Sequence, residues 1–447
     1  MPATAYTTPE IPLLLAISSF LYLINVAETV FARFINAGLI GSLCMGILFG
    51  SEVADILPET VQSTFIVLGY VGLVLIVFEA GLSTNISLLF DNILLSCAVA
   101  LSGMVMPVAL SMLLLRFGYG YTTLQSFAAG AALSSTSLGT TLTVLKPEYR
   151  STRTGTVLLA AALLDDIGGL VIAAILSRLS SYGTSSSSSS IPWYIVVRPI
   201  LVSFGFAFGV PIFAFISRYI VQKGAFPEKL GLFACNTQLF IAVATLSGFV
   251  AGAGYAGTSQ LFGAYLAGAY LTYVFSPLSP AVPEAPGSRP APASAFDHHI
   301  APILEVFFSP LFFASIGGAL PVRSLGSANG SSRVVWRGIV YAMLMGLAKA
   351  VVGLWMLVWP DRGAGRRCEP LPRPPHPDFT APRSAALVGL AMIARGEIAL
   401  IVAEISRPLL GITSPEPFAL VIWAILLNTA GGAIFVGFLL RERKAES

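Results

Sequence analysis

The sequence predicts an all-α polytopic membrane protein with about thirteen transmembrane helices. Two observations carry that reading. Hydrophobic residues make up 55% of the chain, charged ones only 11%, and the mean hydropathy is +0.82, well outside the soluble range. Apolar runs also recur at lengths of roughly 20 residues, enough at ~1.5 Å rise per residue to cross about 30 Å of hydrocarbon. They lack the alternation of polar and apolar positions that a barrel strand requires, so helices are expected.

The runs lie near 11–31, 35–50, 62–82, 92–115, 123–145, 155–177, 192–217, 231–251, 258–275, 300–320, 334–359, 384–406 and 416–440. The first has no basic region before it and no small-residue cleavage pattern after it, so it reads as a retained helix rather than a signal peptide. The second and ninth are the shortest. The chain 1–447 reads as a single membrane domain, with spans one to six over 11–177 and seven to thirteen over 192–440. Segments 276–298 and 360–383, rich in Pro with Ala or Arg, and the serine tract Ser185 to Ser190 are expected to be flexible. Such inserts are more typical of a eukaryotic, fungal-type protein than of a compact bacterial transporter.

An odd number of spans puts the termini on opposite sides, and the basic residues choose between the two orientations. With the C-terminal Arg441, Arg443 and Lys444 inside, sixteen of the 25 lysines and arginines fall on inside segments and seven outside. This predicts an external N-terminus and a cytoplasmic C-terminus. The net charge of +3 follows from those loops and not from a nucleic-acid-binding face. Cys44, Cys97, Cys235 and Cys368 have no metal-ligand spacing and read as packing residues. No nucleophile elbow or phosphate-binding loop suggests an enzyme, and no cofactor or resident metal is expected. His298, His299 and His376 are placed in solvated inside segments.

Within span six, Asp165 and Asp166 stand in an uncharged run, Asp165 being 12 residues from Arg153 and 13 from Arg178. At ~1.5 Å per residue each end is about 18 to 20 Å away, beyond the reach of a short carboxylate side chain. Lys349 and Arg395 are equally central in spans eleven and twelve. A lone charge there costs roughly 2.5–3.5 kcal/mol, so these cations need partners, and Asp165, Asp166, Glu79, Glu397 and Glu404 are the available acids. A purely structural ion pair remains an alternative for Arg395 with Glu397 or Glu79. Consecutive helix residues point about 100° apart, so Asp165 and Asp166 cannot both face one lysine equally. The acid left over is suited to holding a proton or a desolvated monovalent cation in turn.

Span five carries Ser134, Ser135, Thr136, Ser137, Gly139, Thr140 and Thr141 in one stretch, and span twelve carries Gly389 to Glu397, with Arg395 and Gly396 interrupting its apolar run. Seven spans separate them, an odd offset that implies inverted repeats. Two broken helices at matching places in inverted halves point to a midplane binding site of a secondary transporter. Close packing of small residues is the competing reading of the serine and threonine cluster.

The segments Phe78-Glu79-Ala80-Gly81-Leu82, Ala132 to Thr136, Leu163-Leu164-Asp165-Asp166, Leu347-Ala348-Lys349 and Ala394 to Leu400 together resemble the monovalent cation/proton antiporters, the branch with bacterial sodium/proton antiporters and potassium efflux systems. The resemblance extends over the whole chain. It implies thirteen helices with crossing broken helices five and twelve, a scaffold domain that forms a homodimer, and a mobile core moving as an elevator. It implies further that Asp166 binds ion and proton, that Asp165 pairs with Lys349, and that the regions of Thr136 and Arg395 form the crossing. Ser135 and Ser137 belong to that crossing, and Arg395, Glu397 and Glu79 to a core charge network. A double acid with the lysine is similar to the electrogenic sodium exchangers, favouring Na+ or Li+ over K+. A carrier of a small organic solute on the same architecture, or a non-transporting sensor, stays open as an alternative.

Overall fold

The computed structural model describes residues 10–35, 38–83, 92–136, 152–185, 193–222, 235–275, 292–320, 333–359, 380–411 and 415–446. Among the described residues every regular element is a helix. In chain order they are α1 (Ile11–Ile35), α2 (Gly38–Phe49), α3 (Glu59–Leu82), α4 (Ile93–Ser111, continued by a π-helical turn Met112–Gly118), α5 (Thr123–Ala132), α6 (Arg153–Ser185), α7 (Trp193–Gln222), α8 (Cys235–Ala256) and α9 (Gln260–Phe275). There follow α10 (Pro292–His299), α11 (Ser309–Ala319), α12 (Arg333–Ala350, continued through a tighter 3-10 turn Val351–Leu354), α13 (Ala381–Ala391), α14 (Glu397–Ile405) and α15 (Glu416–Glu446). Nine helical stretches among the described residues are long and apolar enough to cross a membrane.

The chain divides into two compact units. One comprises residues 1–73 and 302–323. Its core is an aromatic knot of Phe20, Phe49 and Phe65 with Ile24, Leu57, Leu311 and Ala314. The Phe20 ring stacks on Phe65 at 5.5 Å and meets Phe49 at a tilt at 5.2 Å. Lipid is as apolar as a core, so helices in a bilayer gain stability from close packing, and small residues permit it. Gly46 lies against the Ala314 backbone and Gly317 against that of Leu43, each so close that a β-carbon would collide.

The other unit comprises 74–301 and 324–447. Its central helix is α6, of which 72% of the apolar window is buried, against 11% for α7. A cluster of Val99 on α4, Val157, Leu158 and Ala161 on α6, Leu387 and Val388 on α13, and Val436 on α15 encloses it. Glycines again set the spacing: Gly353 meets the Ala385 carbonyl and Gly389 that of Ala350, drawing α13 against the 3-10 turn that follows Lys349.

One expectation needs correction. The segment 276–298 is not wholly a loop, because Pro292–His299 is helical, with Ala295 and Phe296 buried. The Phe296 ring packs edge-on against Phe78 at 5.4 Å, which is the anchoring that a Pro- and Ala-rich composition does not reveal. His298 and His299 sit in the last turn of that helix, exposed, with ring centres 4.8 Å apart, at the edge of the tenth span. His376 lies outside the described residues, as do residues 276–291 and 360–379.

Candidate functional site

Helix α5 starts cleanly and stops early. Thr122 caps it, its hydroxyl accepting from Gln125 N at 3.2 Å while the Gln125 side chain accepts from Thr122 N at 3.1 Å. The Gln125 amide then donates to the buried Leu410 carbonyl at 3.2 Å. Ten residues later the helix ends in a crowd of hydroxyls, which compete for backbone partners. Ser134 N bonds back three residues to Ala131 O, Ser134 Oγ donates to the same carbonyl, and Ser135 and Thr136 lie outside any helix.

The twelfth span breaks likewise. Helix α13 ends at Ala391, Ile393 N makes a tight turn to Leu390 O, and α14 begins at Glu397 after an extended Gly396. Interrupted helices leave carbonyls without helical donors, and inside a membrane each must find another. Side chains supply them across the crossing. Arg395 Nη1 donates to Ser135 O at 2.7 Å, Thr136 Oγ1 lies 3.2 Å from Met392 O, and the single proton of Thr429 Oγ1 on α15 is shared between Arg395 O at 2.9 Å and Ile425 O at 2.7 Å.

Asp165 of α6 and Lys349 of α12 meet at this crossing. Lys349 Nζ is 2.6 Å from Asp165 Oδ2, and both side chains are fully buried. Thr136 completes a triangle. Its hydroxyl accepts from Lys349 Nζ at 2.8 Å and sits 2.5 Å from Asp165 Oδ2, to which it donates its single proton. Helix α4 crosses the lysine at Gly103, where a β-carbon would come within 3.2 Å of Nζ. A charge-assisted pair of this geometry, with a hydroxyl satisfying a further lone pair, is what makes two desolvated charges tolerable.

Several polar atoms here keep unused capacity. Asp165 Oδ1, Ser135 Oγ, and Arg395 Nε and Nη2 are buried with no hydrogen-bond partner among the described residues. The two oxygens suit water or a cation, and the two guanidinium N–H groups suit an acceptor such as water. Asp166 is buried as well, at 5% exposure, and one step along the helix turns it about 100° from Asp165. The oxygen donors are hard, the sort that favour s-block cations over soft metals.

The other expected site residues are dispersed. Arg395 is fully buried and makes no ion pair among the described residues; its guanidinium is drawn to the Ser135 carbonyl instead. Glu79, expected in a core charge network with Arg395 and Glu397, is half-buried near the end of α3. Ser137 and the Glu397 side chain lie outside the described residues. Glu404 pairs with Arg407 at 3.0 Å. Sequence reasoning missed Thr429, Gly103 and the buried Tyr341, whose hydroxyl is 2.7 Å from Ser111 Oγ. A signal existed for Thr429, which with Asn428 interrupts an apolar run in mid-span.

A buried acid paired with a lysine between two broken helices marks a transport site, and the model of one family, "Sodium/hydrogen exchanger, transmembrane", matches residues 16–442. The chain belongs to this sodium/hydrogen exchanger family. It is accordingly an integral, multi-pass membrane transporter. Among curated exchangers it is similar to the "High-affinity Na(+)/H(+) antiporter NhaS3" of Synechocystis, 26% identical over 87% of this chain and 75% of that protein. It is also similar to the "Na(+)/H(+)-K(+) antiporter GerN" of Bacillus cereus, 23% identical over 91% of this chain and 90% of that one. Among solved structures, the sodium proton antiporter MjNhaP1 of Methanocaldococcus jannaschii shares the exchanger fold. Its TM-score is 0.61 at 16% identity, with 97% of this chain and 99% of that chain covered.

Proposed function

We propose that this exchanger moves a monovalent cation, Na+ or Li+ in preference to K+, against protons, with Asp166 as the group for which cation and proton compete. The observation that carries the reading is the division of labour within the acid pair. Asp165 is engaged by Lys349 at 2.6 Å and by Thr136 at 2.5 Å, while Asp166, also buried, projects about 100° away from it. A carboxylate must be deprotonated to bind a cation, so binding one ligand expels the other. In the range where Asp166 carries a proton, the apparent cation affinity should weaken by about tenfold for each pH unit of acidification. Lys349 holds Asp165 in place, and the crossing breaks, with Ser135, Thr136 and Arg395, provide oxygen atoms and a positive charge nearby. The exchangers NhaS3 and GerN, named respectively for Na+/H+ and Na+/H+-K+ antiport, favour this class of substrate.

The same reading has the unit that carries Asp165 and Lys349 move as an elevator, within a homodimer whose C-termini face the cytoplasm. The test uses proteoliposomes with a trapped pH dye, pulsed externally with Na+, Li+ or K+. The wild type should answer Na+ and Li+ with an internal pH change, and Asp166→Asn should be silent while still eluting as folded protein. Cation-evoked pH change that persists in Asp166→Asn overturns the role of Asp166. Silence of active wild-type protein toward all three cations overturns antiport and points to an organic solute. Asp165→Asn and Lys349→Ala under a clamped potential report the charge moved per cycle.

A further inference from the structure

Gly257 ends α8 with a positive φ of 97°, a conformation that side chains disfavour, and two arginines close in on it. A β-carbon built on this glycine would meet Arg178 Nη2 at 3.0 Å and Arg198 Nε at 3.4 Å, so the two guanidinium groups stand within about 6.5 Å of one another. Arg178 comes from the outer stretch of α6 and Arg198 from the first turns of α7, and both are exposed. Neither makes a hydrogen bond, an ion pair or a ring contact among the described residues. Both belong to the seven basic residues that the charge bias leaves on the side away from the basic loops. Two like charges this close, with no carboxylate bonded to either among the described residues, call for an anion from outside the chain.

The surface beside them says which anion. Leu201, Phe204, Phe208, Ile212 and Phe215 are 65%, 57%, 70%, 63% and 65% exposed and run down α7 in one stripe from the turn after Arg198. The Phe204 and Phe208 rings stack along that stripe at 6.4 Å. A cationic point at the end of two membrane helices, continuous with an apolar ridge along one of them, matches a phosphate headgroup with its acyl chain below. Two charge-assisted hydrogen bonds of about 2.8 Å bridge a gap of this size through one phosphate.

We propose that Arg178 and Arg198 form a binding site for the phosphate of an anionic phospholipid, whose acyl chain lies along the exposed face of α7. The site needs the membrane location alone and is independent of the antiport reading, so either can fail without the other.

Native mass spectrometry of the delipidated full chain in detergent, titrated with phosphatidylglycerol, phosphatidylcholine or inorganic phosphate, tests it. The wild type should retain phosphatidylglycerol at least tenfold more strongly than phosphatidylcholine, and inorganic phosphate at the same concentration should not replace it. Arg178→Ala with Arg198→Ala should bring the two lipids level, whereas Arg116→Ala, another exposed arginine at a helix end, should change nothing. Should the double alanine variant fail to fold, Arg178→Lys with Arg198→Lys should keep the charge preference but lose part of it, because lysine cannot make the same fork. Equal retention of the two lipids by wild type, an unchanged preference in the folded double alanine variant, or full competition by inorganic phosphate would each overturn the proposal.

Discussion

Truncating Lys349 to alanine leaves Asp165 buried at 0% exposure with Thr136 as its remaining donor. Removing one member of a buried ion pair costs about 3–5 kcal/mol, and an isolated charge at mid-span costs roughly 2.5–3.5 kcal/mol on the insertion scale. The Thr136 hydroxyl, at 2.5 Å, recovers on the order of 1 kcal/mol of this. The net expectation is a loss of about 2–4 kcal/mol at neutral pH, several times the ~0.6 kcal/mol of an average interhelical hydrogen bond in a membrane. Asp165→Asn added to Lys349→Ala should restore most of the stability, because the pair is then absent from both sides. The assay is reversible unfolding in mixed micelles at neutral pH for the two single variants, the double variant and wild type, closed as a double-mutant cycle. Additive losses in the cycle would refute the ion-pair argument.

Three further outcomes follow from the same geometry. Thr136→Val removes the hydroxyl that accepts from Lys349 and donates to Asp165, and should lower stability by about 1–3 kcal/mol and weaken cation-evoked flux, with Thr136→Ser restoring most of both. Thr429→Val deprives the Arg395 carbonyl of its donor at 2.9 Å and should cost about 1 kcal/mol in the same micelle titration; a wild-type curve would show that the break is held by other contacts. Gly353→Leu forces a side chain into the Ala385 backbone and should reduce the yield of folded protein sharply, while Gly205→Leu, with open space around it, should purify normally.

Much of this was readable before any coordinates. Helical spans follow from run length and composition, since a bilayer forces each spanning segment to satisfy its own backbone. The position of the helix-twelve break was legible from Arg395 and Gly396, and the chain does leave the helix between Ala391 and Glu397. Other features were hidden because they depend on neighbours distant in sequence. Pro292–His299 looked like a loop until the contact of Phe296 with Phe78 supplied its anchor. That Arg395 donates to Ser135 O, a carbonyl freed by the other broken helix, depends on a contact across 260 residues.

By itself the sequence determined that four charges, Asp165, Asp166, Lys349 and Arg395, lie where water does not reach, and that some must therefore meet. It also determined, through clustered hydroxyls and glycine, where two helices would be interrupted. Only the tertiary structure decided which groups meet. Lys349 comes to Asp165 across 184 residues, and Thr136 enters between them, because glycine-lined packing draws α13 against the turn that follows Lys349 and seats α4 on the lysine at Gly103. Composition and spacing report the cost of burying a charge; the partner that offsets it is chosen by which backbones can approach closely enough to bring it within reach.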